Sequence, residues 1–494
     1  MKTGTAADLM GAQTQLLSAK LFDKEIVGFS IDSRTTGAGE LFFALSQKDY
    51  ARAGFNGTFA DAHRYLPQAF ARGAIAAVAR RDHVQEDASL QAMADRLLIV
   101  EDAIAALQTL ARKVYEAWAR PVVAITGSAG KTTAKELTAH LLRASGKRVL
   151  KSERNYNNGL GLPLAVLQMV TEGRTPDQFD IAVLEMGMSS PTHEIERLCK
   201  ITPPDIGVEL LVAPVHLEHL GTIEKIAAAK AELIEGLKPN GTAVLNADDE
   251  RVMAMRSLHD GPIITFGIEN AADVMATRID TSSFGRSRFR LQTPLGEADA
   301  ELWMPGRHNL MNALAATAVA TCFEIGAQEI ARAFHDVTPA KMRGEVIDFA
   351  AGFTVVDDSY NSNPRSLLSI VQTIAEGGAQ AKRRIVIAGE MLELGLEGAA
   401  MHREAGREIA RAGIDVLWGV RGLASEMVEG AQSAGMSTDA ARFFESSEQA
   451  AAAICDAVRE GDLILVKGSR GVETDKVVKM LRDRFPALGA DERV

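Results

Sequence analysis

Residues 121–133 read PVVAITGSAGKTT, a run of β-forming residues that passes directly into a glycine-bounded loop and then into helix-forming sequence. The order has a chemical logic. Gly127 and Gly130 let backbone N–H groups turn toward phosphate oxygens, Lys131 brings positive charge, and Thr132 offers a hydroxyl suited to Mg²⁺. With Ser128, Ala129 and Thr133 completing it, the loop reads as a cradle for a nucleoside triphosphate at the start of a helix. Full Walker spacing would put glycine at 125, where the chain has Ile125, so this is a shortened G-x-x-G-K-T-T form. The plainer alternative, a glycine turn with a solvated lysine, is served less well by the strand before and the helix after. A strand that hands over to a phosphate-binding helix start places the segment in a doubly wound α/β fold.

Working outward, further strand-like runs follow the loop at 181–185, 206–212, 242–246 and 263–266, separated by helical sequence, which predicts a mostly parallel sheet. Between 276 and 305 the pattern becomes short alternating runs, RSRFRLQ and ADAELWM, around a Pro-Leu-Gly turn, so a β-hairpin should flank that sheet. Before the loop, runs at 26–31, 41–45, 75–79 and 97–100 and a helix over 104–118 predict a small α/β module, closed by the break Arg120-Pro121. After Met342-Arg343-Gly344, runs at 353–356, 384–388, 416–420 and 463–466 predict another α/β domain. The expected organisation is three domains, 1–118, 119–342 and 343–494, with a hinge at Arg343-Gly344. The alanine-rich patches at 227–231, 313–320 and 450–453 read as close-packed helices.

Composition sets the outer limits. Hydrophobic residues at 47% and charged residues at 24% are ordinary for a globular protein. A formal charge of −11 disfavours general affinity for nucleic acid. Cys199, Cys322 and Cys455 are too far apart for a C-x-x-C pair and suit buried thiols in a reducing compartment. The amino-terminal sequence has no apolar signal core and no stretch approaches about 20 apolar residues, so a cytoplasmic protein without membrane insertion is expected.

Several polar groups fall near the expected ligand edge of the middle sheet. Glu185 closes the run IAVLE, where ligands of open α/β sheets gather, and could hold a metal or cap a helix. His216 follows another strand and could complete a metal site, although a lone histidine is more often structural. The amides and glycines of 153–163, among them Asn155, Asn157 and Asn158, could bind a peptide or carboxylate, or could simply cap the next helix. By composition Lys230 is a solvated helix lysine. The polar clusters at 305–312 and 357–364 read equally well as sites or as turns.

Together these residues resemble the Mur ligase family, ATP-dependent amide-forming ligases of peptidoglycan precursor synthesis, over almost the whole chain. The resemblance rests on the loop Gly127 to Thr133, Glu185, His216, Lys230 and the H-N-x-x-N run of His308, Asn309 and Asn312. The runs NYNN (155–158), HLE (216–218), DDSYNSNP (357–364) and GEMLELG (389–395) are similar to the branch that adds D-alanyl-D-alanine. Two features depart from the family pattern: Leu211, where asparagine is common, and a long, glycine-poor 47–59 segment on the uridine side.

The resemblance implies a fold and a set of roles. The first domain would be a small α/β unit binding a uridine nucleotide at Asp32, Ser33 and Arg34. The middle one would carry the P-loop ATPase-like site, and the third would be Rossmann-like. Thr132, Glu185, His216 and a carbamylated Lys230 would hold two Mg²⁺ ions, and Lys131, Glu185, His216 and Lys230 would be catalytic. Asn309, Asn312, Arg343 and Asp358 would contact ATP. Asn157, Asn158, Tyr360, Asn361, Asn363, Lys467, Ser469 and Arg470 would face the other substrates.

The implied activity is ATP-dependent joining of D-alanyl-D-alanine to a UDP-N-acetylmuramoyl tripeptide through an acyl phosphate, by a monomer acting on small molecules. A sister ligase or folylpolyglutamate-type synthetase adding one amino acid, or a nucleotide-binding scaffold without catalysis, are the competing readings.

Overall fold

A computed structural model describes residues 1–55, 57–153, 156–188, 193–215, 217–281, 284–378 and 380–488. His216 and Asn155, singled out above, lie outside the described residues. The described residues build three sheets in sequence order.

The first sheet is parallel throughout and runs β1 (Gly28–Ser30), β2 (Glu40–Phe43), β3 (Ala76–Arg80) and β4 (Leu97–Val100) in spatial order. The helix Ala103–Trp118 follows, begun by Asp102, whose carboxylate accepts the N–H groups of Ile104 and Ala105, and ended at left-handed Ala119 before Pro121. Its apolar stripe does not stay within the first module. Trp118 Nε1 donates to the Phe179 carbonyl and Tyr115 Oη to that of Pro203, both in the middle region. One continuous apolar cluster therefore runs from Phe42 and Leu98 of the first sheet, through Leu107 and Leu110, to Ala124, Leu184 and Leu245 on one face of the middle sheet.

The middle sheet contains β5 (Val122–Thr126), β6 (Val149–Lys151), β7 (Ile181–Glu185), β8 (Ile206–Glu209), β9 (Thr242–Asn246), β10 (Ile263–Gly267), β11 (Val274–Asp280), β12 (Ser287–Thr293) and β13 (Gly296–Leu302). Their spatial order is β13-β12-β11-β10-β9-β8-β5-β7-β6. The strands β5, β7 and β8 are buried along their whole length, as the interior of a parallel sheet covered on both faces requires. The flanking hairpin is β12–β13, and it continues the main sheet through antiparallel pairing with β11. On its exposed side Arg288 and Arg290 meet Glu301, Glu297 and Asp299, so charge covers the edge.

The strand expected over 206–212 ends at Glu209. Leu210 N–H still reaches the Thr126 carbonyl of β5, and beyond it the backbone turns to the phosphate loop: Ser128 N–H donates to the Leu211 carbonyl at 2.9 Å, and Ala213 N–H to Ser128 Oγ at 2.9 Å.

The third sheet holds β14 (Glu345–Asp348), β15 (Thr354–Asp358), β16 (Arg383–Gly389), β17 (Val416–Val420), β18 (Ala441–Phe444) and β19 (Asp462–Lys467), ordered β14-β15-β19-β16-β17-β18. Only β14 is antiparallel to its neighbour. The two faces of this sheet carry separate apolar clusters, around Ile464 and around Leu465, and neither includes a middle-sheet residue among its buried members. The fold is thus α/β with three mostly parallel sheets. No described helix is long and apolar enough to cross a membrane.

Candidate active site

A cavity of about 480 Å³ opens where the carboxyl edge of the middle sheet meets the third region. The middle region contributes the phosphate loop, Asn157, Asn158, Glu185, Asn309 and Asn312; the third contributes Arg343, Asp358, Tyr360, Asn361, Asn363 and Lys467.

The loop obeys its sequence logic. Gly127 and Gly130 have φ of +150° and +85°, a region in which side chains are strained, and a Cβ at Gly130 would collide with Asn312 Oδ1. The turn delivers the chain into the helix Lys131–Ala144, whose first N–H groups and positive dipole end face the cavity. Lys131 Nζ donates back to the Gly127 carbonyl at 2.8 Å, folded over the loop it serves. Burial holds its ammonium below the usual lysine range, with Glu185 pulling upward and Arg343 pushing further down.

Thr132 Oγ1 donates to Glu185 Oε2 at 3.0 Å, and Asn157 Nδ2 donates to Glu185 Oε1 at 2.9 Å. Glu185 is buried and caps no helix among the described residues; its backbone N–H is fixed by Ser152 Oγ at 3.1 Å. Both amides of the asparagine-rich loop bond within the protein. Asn157 faces the acid, while Asn158 Oδ1 accepts the N–H groups of Leu160 and Gly161 and caps the helix Gly161–Leu167. A hydroxyl and a carboxylate brought to one point are hard oxygen donors of the kind Mg²⁺ takes.

From the third region, Arg343 Nη2 donates to Thr132 Oγ1 at 3.3 Å, and its guanidinium lies 3.9 Å from the centre of the Tyr360 ring. Lys467 Nζ is 2.5 Å from Asp358 Oδ2 and donates to the Asn361 carbonyl at 2.9 Å. Asn363 spends its side chain on a capping box with Ser366. Asp357 bonds Ser359, and burial pushes its carboxyl up to about 6. Asn309 Nδ2 donates to the Pro305 carbonyl at 2.7 Å.

Some residues fall elsewhere. Lys230 does not line the cavity and is no solvated lysine: it is 2% exposed, and burial pushes its amine down to about 7. Ser469 Oγ accepts the Leu392 N–H at 2.9 Å, which ties the 389–395 segment to the end of β19, and Arg470 pairs with Asp475 at 3.2 Å. Neither lines the cavity. Asp32 and Arg34 pair with each other after β1, away from it, and Ser33 Oγ donates to Gln68 Oε1 at 3.0 Å.

The two departures from pattern have structural answers. Leu211 lines the cavity and works through its carbonyl on Ser128. The 47–59 segment carries the helix Gln47–Arg52 and an aromatic group in which Tyr50 stacks on Phe55 at 4.8 Å and meets Phe59 edge-on at 5.0 Å. Phe55 reaches Gly159, where a Cβ would stand 3.0 Å from its ring.

His308 stood in the H-N-x-x-N run without a role of its own, and Arg365 and Glu209 escaped the sequence reading. His308 Nδ1 lies 3.2 Å from Ser369 Oγ across the two regions, and burial pushes the imidazole down to about 4. Arg365 reaches toward Asp249 at 3.7 Å. Glu209 ends β8 with no exposure, and burial pushes its carboxyl up to about 8. An acid in an otherwise apolar interior strand was the available signal for Glu209.

A second cluster, Asp61, His63 and His83, brings its ligand-type atoms within 4.8 Å of one another. It is an ion-pair network rather than a metal cradle. His63 Nε2 accepts the Arg80 N–H at 2.9 Å, so Nδ1 carries the proton it gives to Asp61 and has no lone pair to offer.

The family model of the Mur ligase middle domain matches residues 125–320, and that of the Mur ligase glutamate ligase domain matches residues 342–470. The UDP-N-acetylmuramoyl-tripeptide–D-alanyl-D-alanine ligase of Escherichia coli K12 is 33% identical over 478 residues, 95% of this chain and 97% of that protein. A crystal structure of MurF from Acinetobacter baumannii superposes with a TM-score of 0.80 at 26% identity, covering 98% of this chain and 99% of that one. The MurF ligase of Thermotoga maritima in complex with ADP gives a TM-score of 0.76 at 26% identity over 92% of this chain and 97% of that one.

Proposed function

This chain belongs to the Mur ligase family, and from that premise we propose how its own residues carry the reaction. It is an ATP-dependent ligase that joins D-alanyl-D-alanine to UDP-N-acetylmuramoyl-tripeptide and so supplies peptidoglycan synthesis. The single observation that carries the assignment of roles is the convergence of Lys131, Thr132 and Glu185 on one cavity walled by two regions of the chain.

Gly127 to Thr133 would cradle the phosphates of ATP, with Asn309, Asn312, Arg343 and Asp358 on the rest of the nucleotide. The terminal carboxylate of the tripeptide attacks the γ-phosphorus, the bond to the β-phosphate oxygen breaks, and ADP departs. Lys131 and Arg343, cationic and partly withdrawn from water, stabilise charge spreading over the transferred group. The neutral amine of the dipeptide then attacks the acyl carbon, phosphate leaves, and the amine proton passes to solvent or to the departing phosphate. Arg343, Tyr360 and Lys467 help to shut water out while the acyl phosphate exists.

Mg²⁺ would be held by Thr132 and Glu185, with His216 and a carbamate on Lys230 completing two sites, and would neutralise phosphate charge. The fit is supported by the paired oxygens of Thr132 and Glu185 and by the burial of a Lys230 amine that gives up its proton readily. Asn157, Asn158, Tyr360, Asn361, Asn363, Lys467, Ser469 and Arg470 are assigned to the peptide substrates, and Asp32, Ser33 and Arg34 to the uridine nucleotide. The reading divides the chain into domains at 1–118, 119–342 and 343–494, a division supported by its three separate sheets.

The reading takes the enzyme as a monomer, since one chain's own regions complete the cavity. It takes the location as cytoplasmic, in keeping with three unpaired cysteines. The test is phosphate release by the purified protein with UDP-N-acetylmuramoyl-tripeptide and either D-alanyl-D-alanine, meso-diaminopimelate, L-lysine or glutamate. Turnover with D-alanyl-D-alanine alone is expected; turnover with a single amino acid in its place would overturn the assignment.

A further inference from the structure

The helix Pro364–Gly377 starts on the capping box of Asn363 and Ser366, and its second residue is Arg365. A cation in the first turn opposes the positive end of the helix dipole, and no acid in that turn offsets it. Arg365, Ser369 and Thr373 recur at intervals of four and share one face of the helix. That face lies on the middle region. Arg365 Nη1 is 3.7 Å from Asp249 Oδ2, Ser369 Oγ is 3.2 Å from His308 Nδ1, and Thr373 Oγ1 stands 2.9 Å from where a Cβ on Gly306 would be.

Asp249 is buried and divides its carboxylate between two tasks. Oδ1 accepts the N–H groups of Arg251 at 3.0 Å and Val252 at 3.2 Å and so caps the helix Glu250–Ala254. Oδ2 accepts the Val212 N–H at 3.0 Å, and it is this same oxygen that Arg365 approaches. Val212 sits between the two residues that hold Ser128 of the phosphate loop: the Leu211 carbonyl takes the Ser128 N–H at 2.9 Å, and the Ala213 carbonyl takes the Ser128 hydroxyl at 3.0 Å. A series of polar contacts therefore runs from the third region through Asp249 and residues 211–213 to Ser128. Its two ends, Arg365 and Ser128, both line the cavity. With its side chain 55% exposed, Arg365 adds little to stability. Its effect falls on the oxygen it shares with Val212.

We propose that Arg365 is a positioning residue for ATP: seated on Asp249, it fixes the segment 211–213 that backs Ser128, and so couples docking of the third region to the shape of the phosphate loop. The role rests on the assignment of Gly127 to Thr133 to ATP made above. Arg365 acts through Asp249 and not by a contact of its own with the nucleotide.

The test uses the full chain as wild type, R365M, R365K, D249N and the double variant R365M/D249N. Affinity for a non-hydrolysable ATP analogue with Mg²⁺ is measured by calorimetric titration, with thermal unfolding alongside. R365M should weaken binding about threefold to tenfold while Tm stays within about 2 °C of wild type, since the pair belongs to neither core. R365K keeps a cation opposite Asp249 and should recover most of the lost affinity. Asparagine caps a helix as well as aspartate does, so D249N should stay folded and weaken binding at least as far as R365M. The double variant should bind no more weakly than D249N, within about twofold, because the route from Arg365 is already cut. Wild-type affinity in R365M overturns the proposal, as does an R365K no better than R365M. Losses that multiply in the double variant also overturn it, by placing Arg365 on the nucleotide itself. Turnover does not enter this cycle, so a wild type inactive with D-alanyl-D-alanine would overturn the assigned reaction alone, whereas a wild type that fails to bind the analogue would overturn the ATP site and this role together.

Discussion

Thr132 Oγ1 and Glu185 Oε2 lie 3.0 Å apart although 53 residues separate them, and Asn157 fixes the other oxygen of the same carboxylate at 2.9 Å. The first turn of one helix and the end of the adjacent strand thus present two hard oxygens at one point. Removing either should act on chemistry more than on folding. Glu185→Ala and Thr132→Ala are each expected to lower kcat by on the order of 10²-fold or more and to raise the Mg²⁺ needed for half-maximal rate. A magnesium titration of ADP release checks this; an unchanged half-maximal concentration in both variants would remove the pair from metal binding.

Gly130 leaves no room for a methyl group. Its φ of +85° is strained for any L side chain, and Asn312 Oδ1 fills the space where a Cβ would go. Left-handed strain of about 1–2 kcal/mol, added to displacement of Asn312, should weaken ATP binding about tenfold or more in Gly130→Ala. Calorimetric titration with a non-hydrolysable ATP analogue reads the change directly, and wild-type affinity would show the loop to be more tolerant than its geometry.

Lys467 and Asp358 form a pair with little solvent on either side chain, 4% and 13% exposed. Losing one partner strands the other, so Lys467→Met should destabilise the third domain by about 3–5 kcal/mol. Adding Asp358→Asn should restore part of that loss, since no bare charge is left behind. Urea unfolding of the single and double variants decides; equal midpoints would mean that the stranded acid finds water or another partner.

The network of the first domain predicts a pH dependence. His83 gives Nε2–H to Asp61 at 2.9 Å and Nδ1–H to Asp82 at 3.0 Å. Burial alone would lower the pKa of His83, but these bonds raise it above 6.5, while Asp61 is drawn down to about 2 against its own burial by bonds from His63 and His83. A raised imidazole contributes fully below 6.5 and loses its contribution as pH climbs through the folded value. The depressed carboxylate contributes above 3.8 and loses its contribution as pH falls toward about 2. His83→Gln should therefore cost most stability near about pH 5 and least near about pH 9. Equal midpoint shifts at both values would contradict the assigned protonation.

Local signals carried the sequence reading a long way. The strand-loop-helix from Val122 to Ala144 was legible because glycine positions, β-formers and a lysine all sit within a few residues. Glu185 at a strand end was legible for the same reason, although nothing in the sequence tells which hydroxyl it meets. Lys230 could not be placed from composition, because its burial depends on how the helix Ile223–Glu235 packs against β8, a long-range matter. Glu209 was hidden inside what reads as one unbroken strand to Val212, and only the switch of backbone partners from ladder to phosphate loop shows where that strand stops. The strand β14 escaped because an antiparallel edge of four residues has no pattern to set it apart from a loop.

The apolar cluster that runs unbroken from the first sheet into the middle one contrasts with the third region, whose buried clusters keep to their own sheet and which meets the rest through polar contacts at Arg343, Arg365 and His308 and through the half-buried Phe284. One joint is welded and the other is latched. For an acceptor whose nucleotide end is gripped on the first sheet, as proposed, the weld turns the enzyme into a ruler. A shared apolar core would hold the distance from grip to Glu185, so the span of the attached peptide would decide which carboxyl group arrives at the phosphate before any amine is selected.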